Sequence, residues 1–253
     1  MKVAEWNVLK MIVFRENMGS VLDAPMARRI FGKNVIRDLD PRISQLLAPK
    51  LKNDTGEMKI DYLKEKLDRL MVFDWVKFVG VTGSIAARTA REEDDIDLIV
   101  VVKNNTAWFY RGLVLVKNLF SGLVRTAEGT NVKNRLCINM IVEERGLTFN
   151  DDIFTLHELY YMIPVYRLKY KQLLLGRNPW VSGFGGVFEE KEWEKEGPSR
   201  LVKFLNKLAM YAQIVYMYLL FHKPNLKRIL DNYEEGKIMF YPGNFKDEKL
   251  EKF

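Results

Sequence analysis

The chain has 253 residues, 48% hydrophobic and 12% aromatic, which is enough for a packed core and excludes wholesale disorder. Its one cysteine, Cys137, excludes an intramolecular disulfide and a cysteine-built zinc cage, so a reducing cytoplasm is the expected compartment. The net charge of +7 is concentrated in the middle third, where Lys103 to Arg177 carries eleven basic and six acidic side chains, a field that favours phosphate-bearing ligands.

Residues 1–55 read as a helical segment. Trp6, Leu9, Ile12 and Val13 recur at helical spacing, Gly19 ends that run, and Asp40-Pro41 opens a short helix. These pieces suit either a helical lead-in that packs on the next domain or a small winged-helix-like module. No secretory leader is expected, because the chain reaches Arg15-Glu16 without an apolar run that ends in small residues.

Residues 56–150 form the expected core. An amphipathic helix is predicted over 58–72, with Ile60, Leu63, Leu67, Leu70 and Met71 on one face. The period then changes. Val76 to Val81 and Ile96 to Val102 are apolar, β-rich runs that read as neighbouring buried strands. Thr106 to Leu123 returns to helical period, and Leu136 to Val142 reads as a third strand.

Residues 151–253 read as a C-terminal helical domain. Helices are predicted near 154–162, 166–175, 200–221 and 225–233, separated by Pro164, Pro179, Pro198 and Pro224. The apolar run Ile214 to Phe221 is far shorter than the roughly 20 residues of a membrane helix, so no membrane partner is expected.

The chemistry concentrates between Val79 and Val100. A strand runs into Gly83-Ser84, which opens a short helix, and after ten intervening residues Asp95-Ile96-Asp97 begins a second strand. Gly83 lets the backbone approach a ligand closely, and amides at a helix start favour an anion such as a triphosphate. Two carboxylates two apart in a strand share a face and suit a hard divalent cation such as Mg²⁺. By the same parity Asp94 points away and is left out. Arg88, Arg91 and Arg111 are candidate phosphate contacts, with solvated loop charge the plain alternative for Arg88 and Arg91.

This pattern resembles the signature of the DNA polymerase β-like nucleotidyltransferase superfamily. The likeness extends through Arg135 to Val142, Asp152 to Leu159, Met162 to Val165 and Asn178 to Val181, segments similar to a group of bacterial and archaeal nucleotidyltransferase-domain proteins, and covers about 58–182. The resemblance implies an α+β protein with a minimal nucleotidyltransferase core on a mixed β-sheet. It implies transfer of a nucleoside monophosphate from a nucleoside triphosphate, with ATP expected, to an acceptor hydroxyl or phosphate on a small molecule, protein or RNA. Asp95 and Asp97 would hold Mg²⁺ or Mn²⁺, and Gly83 and Ser84 the phosphates. Active members carry a third carboxylate on the strand equivalent to Leu136–Val142. This strand has none. Asn139 is its one polar interior residue, and alternation places it on one face with Cys137 and Ile141. Glu143 and Glu144 follow as substitutes.

Two other readings stay open: a catalytically inactive nucleotide- or partner-binding protein of the same fold, and a basic RNA-binding module. A homo-oligomer suits any of them. His157-Glu158 lacks the second histidine of a zinc protease, and His157 reads as a helix-face residue. Cys137 reads as core, Gly183 to Gly186 as a loop, and Tyr160, Tyr161, Tyr166, Tyr170 and Trp180 as packing.

Overall fold

A computed structural model describes residues 54–88, 90–125, 132–150, 153–184, 199–220 and 225–239. The expectations for the N-terminal segment, winged-helix-like module included, lie outside these residues, apart from its last two positions. So do the last two residues of the Gly183 to Gly186 loop.

The molecule is α+β. Among the described residues, seven α-helices accompany a five-stranded mixed sheet in the order β4-β1-β2-β3-β5. The three central strands are β1 (Val76–Val81), β2 (Ile96–Val102) and β3 (Leu136–Glu143), the runs the pattern marked. β1 lies antiparallel to β2, and β2 parallel to β3. Strands covered on both faces read as near-continuous apolar runs, which is why these three are visible in the sequence.

The segment expected to be helical supplies both sheet edges. β4 (Ile163–Tyr166) lies antiparallel on β1, and β5 (Lys237–Met239) antiparallel on β3. A proline can sit in a short edge strand, because an outward-facing position needs no N–H donor. Pro164 therefore stands inside β4 rather than between helices, and the helix predicted from Tyr166 begins only at Tyr170.

Helices cover both faces. On one side lie α1 (Asp54–Glu65), α3 (Ala107–Lys117) and α6 (Arg200–Leu220). Leu63, Trp108, Tyr110, Val114, Met210 and Ile214 are packed there in one core with Val79, Val81, Leu98, Val100 and Ile141. On the other side lie α4 (Ile153–Tyr161) and α5 (Tyr170–Gly176), over Phe78, Gly80, Ile99 and Val101. The Tyr170 ring stacks on Phe78 at 5.9 Å, and a side chain on Gly80 would collide with Met162. Two further helices are the short α2 (Gly83–Ala86) and α7 (Leu226–Glu234), whose cap is Asn225, accepting from the Arg228 amide at 3.1 Å.

The first helix is shorter than its apolar pattern. It stops at Glu65, and a 3₁₀ turn, Leu67–Arg69, follows. The carbonyls at this break find donors on α3 instead. Lys117 Nζ donates to Asp68 O at 2.6 Å and Met71 O at 3.1 Å, and Asn118 Nδ2 donates to Arg69 O at 3.3 Å. Tertiary donors replace helical ones, so periodicity overstates the helix.

Lys59 of α1 fixes the loop that leads into β2. Buried at 3% exposure, its ammonium donates to Glu92 O at 3.0 Å, Asp94 O at 2.7 Å and Asn134 Oδ1 at 2.8 Å. Lys59→Met fills the same space but removes a donor from three acceptors, of which Asp94 O keeps the Asn134 amide. It should lower unfolding free energy by about 2 kcal/mol, read from urea denaturation, and an unchanged midpoint would remove Lys59 from this role.

Candidate active site

Gly83 follows β1 after Thr82 and has φ +63°, a left-handed conformation that costs other residues roughly 1–2 kcal/mol. Its bare Cα faces the side chain of Asp97. A Cβ there would overlap Asp97 Oδ2 and stand 3.0 Å from Asp97 Cγ. The backbones are joined as well, since Thr82 N donates to Asp97 O at 2.9 Å. The two halves of the motif, ten residues apart in sequence, therefore share one hollow.

Asp95 and Asp97 share the sheet face that carries Ile99. In register Asp97 stands opposite Cys137 of β3. One carboxylate oxygen from each acid and Cys137 Sγ lie within 4.8 Å of one another. Arg125 pairs with Asp95 Oδ2, and Asn139 Nδ2 donates to Asp97 Oδ1. Cys137 Sγ donates to Asn139 Oδ1 at 2.9 Å.

Asn139 reaches this cluster through a bulge. The register runs Leu98↔Ile138 and then Ile99↔Met140, so Asn139 is the extra residue. Bulges re-aim side chains beside functional sites. This one also corrects the simple alternation. Beyond Asn139 the parity switches, and Ile141 joins Ile138 on the α1–α3 side, away from Cys137.

Withdrawal from water is the largest influence on Asp97, and the charges of Asp95 and then Glu158 add to it. Together they push its pKa up to about 7, against the opposing pull of the Asn139 bond and Arg125. Glu158, buried on α4, is thus a third acid in the surroundings of Asp97. Burial, then Asp97 and Asp95, pushes the Cys137 thiol up as well, so it stays a neutral S–H.

Other expected site residues are placed differently. The Ser84 hydroxyl donates to Asp94 Oδ2 at 2.9 Å, and the Arg91 amide donates to the same oxygen at 2.9 Å. Asp94 is therefore the brace of the intervening loop, and Ser84 is one of its partners. Arg88 is an exposed residue with φ +60° just beyond α2. Arg111 lies in the contact between α3 and α6, where it donates to Gln213 Oε1; burial holds it below the ordinary arginine range. Glu143 caps α3 through the Ala107 amide at 3.2 Å and pairs with Arg145 at 2.8 Å. Glu144 accepts from the Tyr170 hydroxyl at 3.0 Å. Both are thereby engaged at the end of β3 remote from Cys137, Glu143 as its last residue and Glu144 just after it. Tyr160 and Tyr161 pack edge to face. Of His157 only its place in α4 is described.

Sequence reasoning passed over Arg125, Cys137 and Glu158. Cys137 and Glu158 were read as core and as half of a failed protease motif, and no local pattern marked Arg125.

Asp95, Asp97 and Cys137 could together hold a metal ion, and the two carboxylates supply the hard oxygen ligands of the set. Beside the pair, the buried Thr82 Oγ1 has no hydrogen-bond partner, an unmet polar atom at the turn itself. No family model, curated protein or solved structure matches this chain.

Gly83→Ala should displace the Asp97 carboxylate. Mn²⁺ affinity, followed by calorimetry, is expected to fall at least about tenfold. Retained affinity would mean that the close approach is incidental. Asp97 also gives a pH signature. The folded state holds its proton up to about 7, whereas the unfolded chain releases it near 4. Stability from this group is full below about pH 4, declines as pH rises to about 7, and is level above that. Thermal melts should show this decline in the wild type relative to Asp97→Asn, and parallel curves would contradict it.

Proposed function

We propose that the protein is a nucleotidyltransferase that moves a nucleoside monophosphate from a triphosphate, with ATP the expected donor, to an acceptor hydroxyl or phosphate. The observation that carries this reading is the contact of the Gly83 turn with the Asp97 carboxylate, with Asp95 beside it. Such a hollow suits a phosphate chain that carries a divalent cation.

Asp95 and Asp97 would hold Mg²⁺ or Mn²⁺, which supplies Lewis-acid stabilisation of phosphoryl charge when bound. The Gly83 turn would receive the β- and γ-phosphates on its backbone amides. The acceptor oxygen forms a bond to the α-phosphorus and gives up its proton. The bond from that phosphorus to the bridging oxygen breaks, and pyrophosphate leaves. Arg125, already beside Asp95, supplies a cation close to the developing charge. A five-stranded mixed sheet with Asp95 and Asp97 at the start of its middle strand would suit a minimal nucleotidyltransferase core.

One observation favours a second reading, a nucleotide-binding protein without transferase activity. β3 offers the neutral pair Cys137 and Asn139 where an active member would carry a carboxylate. The RNA-binding alternative rests on the basic middle segment, part of whose side chains make contacts within the chain while keeping some exposure. Arg125, Lys133 and Arg145 are in ion pairs with Asp95, Glu92 and Glu143, and Lys117 and Lys171 donate to main-chain carbonyls.

The test is incubation with α-labelled ATP, Mg²⁺ or Mn²⁺ and a cell extract as the source of acceptor. Label should pass to an acceptor and fall at least about 100-fold in Asp97→Asn. Cation-dependent binding without transfer selects the second reading. Salt-sensitive RNA retention unchanged by that substitution, with no nucleotide bound, would replace both.

A further inference from the structure

Helix α6 is amphipathic in an unusual sense, since it is apolar on two sides. Ser199 starts it, its hydroxyl accepting from the Val202 amide at 3.4 Å. Its inner face is anchored on α3. Met210 and Ile214 are buried, Asn206 Oδ1 accepts from the Phe109 amide at 3.0 Å, and Gln213 Nε2 donates to Trp108 O at 2.8 Å.

The outer face carries Leu201, Phe204, Leu208, Tyr211, Val215 and Tyr218, each between 49% and 66% exposed. Their spacing is three, four, three, four, three, the a/d seam of a heptad repeat. Such a seam fits another helix with a matching seam.

A second copy of this chain supplies one, and the order of side chains specifies its direction. About a point between Leu208 and Tyr211, antiparallel pairing sets Leu201 against Tyr218, Phe204 against Val215 and Leu208 against Tyr211 of the opposite copy. Every layer then joins one aromatic ring to one aliphatic side chain. Parallel pairing would set like on like, with two Tyr–Tyr layers and a Phe–Phe layer. It would also bring Arg200, Lys203 and Lys207, all in the first eight residues of the helix, onto the same residues of the other copy. No acidic side chain within α6 offsets them. The antiparallel pair holds these charges at opposite ends and is isologous, so it closes as a dimer.

The area is sufficient. Six side chains exposed to this degree present about 700 Å² per copy, about 1,400 Å² for the pair, within the standard class of stable interfaces. We infer that the outer face of α6 is a homodimer interface, an antiparallel two-helix seam between two copies of this chain.

Light scattering of the full chain at micromolar concentration should give twice the chain mass. Leu208→Glu and Val215→Glu, both at exposed positions, should give the single-chain mass with unchanged circular dichroism. Direction is read by crosslinking. Phe204→Cys and Val215→Cys chains should crosslink at those two positions when co-expressed, as mapped by mass spectrometry, and neither should do so through its new cysteine when expressed alone. A wild-type chain that stays monomeric up to about 100 µM overturns the inference, whether residues 1–53 or an anionic vesicle then proves to cover the seam. So does a dimer that survives both glutamate variants. Crosslinking of Val215→Cys to itself overturns the antiparallel geometry.

Discussion

The contact between a main-chain turn and a carboxylate organises the candidate site. Asp97 can stand where it does only because residue 83 has no side chain and accepts a left-handed backbone. The constraint is mutual. β2 carries Asp97 to the turn, and the hydrogen bond from Thr82 N to Asp97 O holds strand and turn in register. Lys59 secures the opposite end of the connecting loop, and Asp94 gathers Ser84 and the Arg91 amide within it. A helix outside the sheet and a loop carboxylate thus share the work of presenting Asp95 and Asp97 on one face.

Much of this was legible in the sequence, and for physical reasons. Strands buried on both faces must be apolar throughout, so β1, β2 and β3 announce themselves. A Gly-Ser step after one strand and an Asp-x-Asp step before the next place backbone and carboxylates together if the strands are neighbours, as they are. Edge strands carry no such signal. β5 has three residues and β4 contains Pro164, and both are specified by the ladders they complete rather than by their own composition. The side-chain composition of the site was hidden for another reason. The meeting of Cys137 with Asp97 depends on a parallel register, and the position of Asn139 on a bulge, neither of which leaves a local mark. The approach of Glu158 depends on α4 being drawn against β1 by β4, a tertiary event.

The same limit applies to α6, in reverse. Its heptad pattern is local and visible, but a seam of that kind reads equally as the core of the protein. Only when Asn206, Met210, Gln213 and Ile214 are seen to take up the contact with α3 does the other apolar side become surplus to the core formed by the described residues. The ends of α1 make a parallel case, since donors from α3 settle where that helix stops.

The electrostatics of the acid cluster follow from its burial. Asp95 and Asp97 share one poorly hydrated hollow with Glu158 near enough to act on Asp97, and the carboxylates would repel one another if all were ionised. The fold answers with a guanidinium on Asp95 and an amide donor on Asp97, and burial raises the affinity of Asp97 for a proton. A cation held by Asp95 and Asp97 would compete with Arg125 for the Asp95 carboxylate and with the proton for Asp97, because all three are positive charges on the same oxygens.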